Sequence, residues 1–490
     1  MDAGREMLAQ AQEDTLDPAD WGALAALAHK IVDNGFAHMA TLRERPAWRD
    51  LPGELAEIFS GPPPRAPQPL SEVLETVGET VMSYPMGNSH PRFWAWYMGA
   101  GNMTGALADF IAAVQASNLG GGKHAAALVD QQVVDWLRQM VGFPDTASGT
   151  LVSGGSIANL IGLTVARNLK AGIDIRELGI GAVPRPLRFY GSDQLHSCHR
   201  KAVETLGLGN RALRRIPSDA SWRIDISALR EAIAEDRAAG FRPACIIASA
   251  GSVNTGSIDD LNALADLAAE EALWFHVDGC IGALIAIAPG HRELVDGLSR
   301  ADSLALDPHK WLHAPFDVGC CLVRNAAAHR GAFSTFAEYL ATSERGLASG
   351  AWLYELGLQT SRGFRALKVW MALKEHGVDK FGRLIDQNID MAHYLTRLVE
   401  TEPTLSLTAP TVINIVCFRF DPGGLGEPAL KALNTEIMLR LQESGIAVLT
   451  DTTLRGNHSL RAAICNHRTR YNDLNLVVGE IVRIGKELTA

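Results

Sequence analysis

The chain has 490 residues, 47% of them hydrophobic and 20% charged, with a formal net charge of −10. That length implies more than one domain, and the acidic balance argues against a nucleic-acid footprint, which would be basic. No apolar run reaches the ~18 residues of a membrane-spanning helix. Seven scattered cysteines without C-x-x-C spacing point away from a disulfide framework or zinc knuckle and toward a reducing cytoplasm.

In chain order, the opening MDAGREMLAQAQEDTLD carries acidic residues and lacks the apolar stretch of a secretory signal. Asp17-Pro18 predicts a helix start, an N-cap followed by a proline at the first helical position. Apolar residues then recur at helical spacing from Trp21 through Ile31 and Phe36. GPPPRAPQPL (61–70) cannot be helical and reads as a connector behind an N-terminal arm. From about 86 to 330, short apolar runs alternate with amphipathic segments. GTLVSGG leads into SIANLIGLTVARNLK, LRFYGS into a segment near His196, and ACIIASAG into IDDLNALADLAAEEA; LWFHVDG, SLALD and VGCCLVRN complete the set. This is the pattern of an α/β domain whose mostly parallel sheet is covered on both faces. FRALKVWMALKEHG (364–377) predicts a long helix. Beyond it, INIVCFRF and SLRAAIC read as short strands and a last helix is expected from about Asp473, together a smaller α+β domain. The predicted division is a helical arm over 1–85, a large domain over 86–385 and a small C-terminal domain over 386–490.

Ser156, His196, Asp278 and Lys310 all follow predicted strand ends, and ligands of such sheets bind beyond the carboxyl ends of the strands. Lys310, in SLALDPHKWLHAPFD, stands between His309 and Trp311 with no acidic residue beside it. An apolar, partly desolvated site lowers a lysine pKa and makes the amine a nucleophile toward a carbonyl; the alternative is a lysine that snorkels to water. Asp278, inside the apolar LWFHVDGCIGAL, needs a partner, either backbone amides or the protonated ring nitrogen of a cofactor. At an effective dielectric of ~20, two charges ~3 Å apart attract by roughly 5 kcal/mol, enough to keep a pyridine nitrogen charged at neutral pH.

His196, in SDQLHSCHRKA, is either structural or stacked on a flat cofactor face. LVSGGSIAN (151–159) sets two glycines and Ser156 where a strand gives way to a helix, which suits a phosphate. The same GGSIA is close to the G-x-S-x-G elbow of serine hydrolases, with Ala158 in place of the last glycine. G-x-G-x-x-G is absent, and NLGGGKH (118–124) lacks the first glycine of a P-loop because Ser117 stands there. Taken together, a phosphate cradle, a stacking imidazole, a carboxylate for a pyridinium and a lysine for an aldehyde are the groups pyridoxal phosphate requires.

The chain resembles the group II pyridoxal-phosphate-dependent amino-acid decarboxylases, which include aromatic-amino-acid, histidine and glutamate decarboxylases. The matching stretches are HPRFWAWYMGAGN, VVDWLRQMVGFP, LVSGGSIANLIGLTVAR, SDQLHSCHRKA, HVDG, ADSLALDPHKW, GFRALKVW and LRAAICNHR, in family order over nearly the whole chain. The resemblance implies the aspartate-aminotransferase-like fold (fold type I) and decarboxylation of an L-amino acid to an amine and carbon dioxide. It also implies a homodimer whose N-terminal arm wraps the partner and whose active sites lie at the subunit interface. By position, Lys310 resembles the Schiff-base lysine, Asp278 the ring-nitrogen partner and His196 the stacking histidine. Gly155, Ser156, Ser303 and His309 correspond to phosphate-side residues.

Three departures from the family pattern stand out. Relatives protonate the reacting carbon with a loop tyrosine. Counting without gaps from AEYL through ATSERGLASGAWLYELGLQTSR (341–362) puts Leu353 at its place and Tyr354 next to it. Tyr354 takes that role by a one-residue slip, or else the protonation step is altered, as in relatives that form aldehydes by oxidative deamination. The aromatic wall that the partner subunit supplies in aromatic decarboxylases reads QASNLGGG (115–122) here, while Phe93, Trp94 and Trp96 offer aromatic surface on the other side. A hydroxyl common in relatives after ACIIASAGS is replaced by Val253. An aldehyde synthase on the same scaffold is therefore the rival to a plain decarboxylase; a serine hydrolase and a cofactor binder without catalysis are the remaining alternatives.

Overall fold

A computed structural model of the chain describes residues 15–335 and 343–490, so the start of the opening stretch and the AEYL segment lie outside the described residues. The chain divides into two units, residues up to Pro46 with Asp50–Pro85, and Ala47–Arg49 with Met86–Ala490. In the first unit, helix α1 (Trp21–Ala40) is capped by Asp20, whose carboxylate accepts the amides of Gly22 and Ala23 at 2.8 and 3.0 Å. The expected start at Asp17-Pro18 is thus corrected by three residues: the carboxylate directly preceding the first turn is the one that reaches its free amides. No residue of α1 is buried, and Trp21, Ile31, Val32 and Phe36 are exposed. In GPPPRAPQPL only Leu70 enters a helix, Leu70–Thr76.

The second unit is built on a seven-stranded sheet of β1 (Ser148–Val152), β2 (Leu187–Ser192), β3 (Leu213–Ile216), β4 (Arg242–Ser249), β5 (Trp274–Asp278), β6 (Ser303–Leu306) and β7 (Gly319–Val323). Their order is β1-β7-β6-β5-β4-β2-β3. Only β7 runs against its neighbours, pairing antiparallel with β1 and β6; β3, β2, β4, β5 and β6 are joined in parallel. This is the mostly parallel sheet that the continuous apolar runs predict, buried on both faces: β4 is buried from Ala244 to Ser249 and β6 along its length.

Helix α2 (Met103–Gln115) and α3 (Ala125–Met140) precede the sheet. Helix α4 (Gly155–Lys170) then crosses one face, buried at every position from Ala158 to Ala166, as a helix apolar on all sides must be. At Gly162 a Cβ would come within 2.8 Å of His276 Cε1 and 2.9 Å of Ser303 Oγ, so this close helix–sheet contact requires glycine.

A second sheet, of β8 (Leu405–Leu407), β9 (Ile415–Phe420), β10 (Thr450–Leu454) and β11 (Asn457–Ala463), is antiparallel throughout in the order β10-β11-β9-β8. The last helix spans Tyr471–Thr489 and starts two residues before Asp473, whose carboxylate closes the first turn by accepting the Arg470 amide at 2.8 Å. All seven cysteines are unpaired and buried. Among the described residues, no helix is long and apolar enough to cross a membrane.

Candidate active site

The carboxyl ends of β1, β2, β4, β5 and β6 open onto one cavity of about 710 Å³. Ser156, His196, Asp278, His309 and Lys310, distant in sequence, all line it together with Gly155. The parallel register explains the convergence: Asp278 ends β5 opposite Ser249 of β4 and Ala305 of β6. Each chain segment therefore leaves the sheet at the same edge.

Lys310 lies in the short helix Pro308–Trp311 that follows β6. Its Nζ is 3.0 Å from Oδ2 of Asp307, a residue only 3% exposed. The sequence reading of an amine without an acidic neighbour, softened by burial, is corrected here. Burial does act to lower the Lys310 pKa, but Asp307 first, with Asp278 adding to it, outweighs desolvation and holds the amine above the ordinary lysine range. One helical turn, invisible as adjacency in the sequence, brings residue i−3 against the amine.

Asp278 is held from two sides. Oδ2 lies 2.8 Å from Nε2 of His199, and Oδ1 accepts the Cys280 amide at 3.2 Å. Burial pushes its pKa up, yet the hydrogen bond and field of His199, the Cys280 contact and the Lys310 ammonium together hold the carboxyl well below the usual range. His196 presents its ring to the cavity while its Nδ1 accepts the Cys198 amide at 3.2 Å. Burial lowers its pKa, and the nearby Lys310 adds to that while Asp278 opposes it.

No side chain caps helix α4, and Ser156 in its first turn is exposed to the cavity. A Cβ on Gly155 would meet Cys280 Sγ at 2.4 Å and Asp307 Oδ2 at 2.9 Å, so the backbone here is bare because nothing larger fits. His309 stands beside it; its Nδ1 accepts the Val318 amide at 3.3 Å.

Two of the sequence candidates are not on the cavity wall. Ser303 is wholly buried, its Oγ 2.8 Å from Trp274 Nε1 and 2.7 Å from His276 Nδ1, so it braces the sheet behind the site. Tyr354 is 7% exposed in the turn Leu353–Leu356, with its amide bonded to the Gly120 carbonyl. Neither Tyr354 nor Leu353 lines the cavity. Of the three aromatic residues singled out near the start of the large domain, Phe93 and Trp94 are core and only Trp96 reaches the cavity.

Trp96 is accompanied there by Tyr97 and by Arg461, both absent from the sequence candidates. Trp96 has φ of 49°, an unfavourable value for a bulky residue, and its carbonyl accepts Arg461 Nη1 at 2.5 Å. Arg461 is 4% exposed; Nε donates to the Asn254 carbonyl at 3.1 Å, and the buried Nη2 has no hydrogen-bond partner among the described residues. The signal for it was an arginine inside the apolar SLRAAIC strand. A buried cation on the wall of a cavity suits a carboxylate.

The family model "Pyridoxal-dependent decarboxylase conserved domain" matches residues 52–421. The chain belongs to the pyridoxal-dependent decarboxylase family. It is 34% identical to the aromatic-L-amino-acid decarboxylase of Bacillus atrophaeus over 94% of this chain and 95% of that one. It is 28% identical to the phenylacetaldehyde synthase of Arabidopsis thaliana, over 92% and 93%. Among solved structures, Oryza sativa TDC with PLP and tryptamine superposes with a TM-score of 0.89 at 26% identity, over 97% of this chain and 100% of that one. The enzyme is thus a pyridoxal-phosphate-dependent amino-acid decarboxylase of fold type I.

The residues present fit that cofactor. An uncapped helix end with an exposed serine suits its phosphate, and an ionised carboxylate on the cavity floor suits its ring nitrogen. A lysine on the cavity wall, its amine 3.0 Å from Asp307, suits its aldehyde.

Proposed function

We propose that the enzyme decarboxylates aromatic L-amino acids, with Lys310 as the cofactor-bearing lysine, Asp278 as the partner of the ring nitrogen and His196 as the stacking residue. The observation that carries the reading is the meeting of these three side chains with Trp96, Tyr97 and Phe316 around one cavity. Bound pyridoxal phosphate supplies an aldehyde for amines and a ring that accepts the electron pair left when carbon dioxide departs. Lys310 would hold the aldehyde, and its amine would also serve to move a proton at the substrate carbon. Asp278 keeps the ring nitrogen protonated, which maintains the ring as an acceptor. His196, on the cavity wall, would cover one face of the ring and exclude water there. Gly155, Ser156 and His309 would hold the phosphate, and Ser303 braces helix α4 indirectly through His276 and Asn159. The Arg461 guanidinium on the cavity wall suits the substrate carboxylate, and the aromatic residues offer a slot for a flat side chain.

The test is carbon dioxide release by purified, cofactor-loaded enzyme from L-tryptophan, L-tyrosine and L-phenylalanine, beside L-glutamate and L-histidine. Expected is release from at least one aromatic substrate with kcat/KM ~10²-fold or more above the other two, as burying a ring against such a wall is worth several kcal/mol. Preference for L-glutamate would overturn the substrate assignment.

A second reading has a specific support. Tyr354 lies off the cavity, and a relative named as a phenylacetaldehyde synthase matches over nearly the full length. In that reaction the amino acid, dioxygen and water give carbon dioxide, aldehyde, ammonia and hydrogen peroxide. Peroxide formed in step with carbon dioxide would replace the plain decarboxylase reading; amine as sole organic product would retain it.

A homodimer with active sites at its interface completes the proposal. Its support is an apolar stripe on α2, where Leu107, Phe110, Ile111 and Val114 are exposed at the i, i+3, i+4, i+7 spacing of one helix face. A solution mass of one 52.7 kDa chain contradicts it. With seven unpaired cysteines, the reducing cytoplasm is the compartment that suits the chain.

A further inference from the structure

Asp278 is gripped from behind by a residue that reaches no part of the cavity. His199, in helix α5 (Cys198–Thr205), is fully buried, and its Nε2 lies 2.8 Å from Asp278 Oδ2. Nδ1 of His199 has no hydrogen-bond partner among the described residues. The carboxylate is therefore the imidazole's one hydrogen-bond partner. Burying an imidazole with a bare nitrogen is costly, and an apolar side chain would fill the space without that cost.

The neighbouring His276 cannot take over the contact. Its ring meets His199 edge-on at 6.2 Å, while Nδ1 is bonded to Ser303 Oγ and Nε2 to Asn159 Oδ1, both at 2.7 Å. The remaining groups that act on Asp278 are the Cys280 amide, which fixes Oδ1, and the field of the Lys310 ammonium, which lines the same cavity. Of these, His199 alone is a side-chain donor to Oδ2.

We propose that His199 is a positioning residue for the decarboxylase reaction, donating from Nε2 to fix the direction of the Asp278 carboxylate toward the cofactor's ring nitrogen. This rests on the reading of Asp278 as that nitrogen's partner. Outer-shell donors that orient a functional ligand typically matter 10–100-fold in systems where the ligand holds a metal, and the same geometric logic applies to a carboxylate that holds a proton. Without the donor, Asp278 rotates and shares its charge less well with the ring, which then gives up its nitrogen-bound proton at lower pH.

Two amide substitutions test this, because both are polar and they differ only in reach. Glutamine can place its amide nitrogen near the position of Nε2, whereas asparagine reaches only that of Nδ1. His199→Gln is expected to keep kcat within about threefold of the parent and the same pH dependence of the bound cofactor's visible absorbance. His199→Asn is expected to lower kcat by ~10–100-fold, change KM less, and move the absorbance transition to lower pH. If His199→Asn matches the parent in both readouts, or if both variants fall equally, the proposal is wrong. Asp278→Asn is the control for the underlying reading: should it keep parental turnover, the assignment of Asp278 itself fails, whatever the His199 variants do.

Discussion

Lys310→Ala is expected to retain no cofactor covalently after borohydride reduction and to turn over amino acid at less than about one-thousandth of the parental rate. Among the described residues Lys310 is the only lysine on the cavity wall, so none of them offers a neighbouring amine to replace it. A positioned group that moves a proton contributes about 10²–10⁴-fold on its own, and this residue also supplies the covalent hold. Peptide mass spectrometry of the reduced protein reads the first effect and carbon dioxide release the second. Cofactor found attached elsewhere, with activity retained, would sink the assignment.

The same assay examines the ion pair with Asp307. Only the neutral amine attacks an aldehyde, and Asp307, 3.0 Å away, favours the charged form. Because the lysine pKa is raised in the folded chain, the pairing stabilises the fold fully below the unfolded value near ~10.4. That stabilisation is lost only as pH rises through the higher folded value. At neutral pH, Asp307→Asn therefore weakens the cofactor-free enzyme but frees the amine, and covalent capture of added cofactor is expected to speed up by as much as about tenfold per pH unit by which the amine's pKa falls. An unchanged capture rate contradicts the pairing.

Asp278→Asn is expected to depress turnover by about 10²–10³-fold, the scale of removing a preorganised electrostatic partner, while leaving the melting temperature close to the parent's. Asparagine still offers His199 an oxygen to accept its hydrogen bond. Asp278→Ala removes that oxygen and leaves the buried imidazole unpaired, which costs about 1–3 kcal/mol of stability in addition. Thermal unfolding of the two variants, read beside their activities, separates the electrostatic role from the structural one. Near-normal turnover in either variant contradicts the role proposed for this carboxylate.

Much of the architecture could be read from pattern alone. Continuous apolar runs such as ACIIAS and SLAL have to be buried on both faces, which dictates a parallel sheet with helices on either side. Polar residues at the ends of those runs are then placed at one edge, which is why Ser156, His196, Asp278 and Lys310 were legible as a group. Helix starts were less legible. Asp17 and Asp20 are both carboxylates near the first turn, and only the backbone decides which one meets free amides.

Residue types and their order along the chain determined the fold class and pointed to the cofactor, because burial periodicity and strand-end chemistry are local properties, while the family was legible only through the resemblance of whole motifs. What only the tertiary structure decided were the contacts across segments or across a helical turn. Asp307 beside Lys310, His199 behind Asp278, Arg461 on the cavity wall, and Ser303 and Tyr354 off it are all of this kind. The reason is electrostatic as well as geometric: a buried charge is governed by the nearest partners in space, and sequence separation carries no information about that distance.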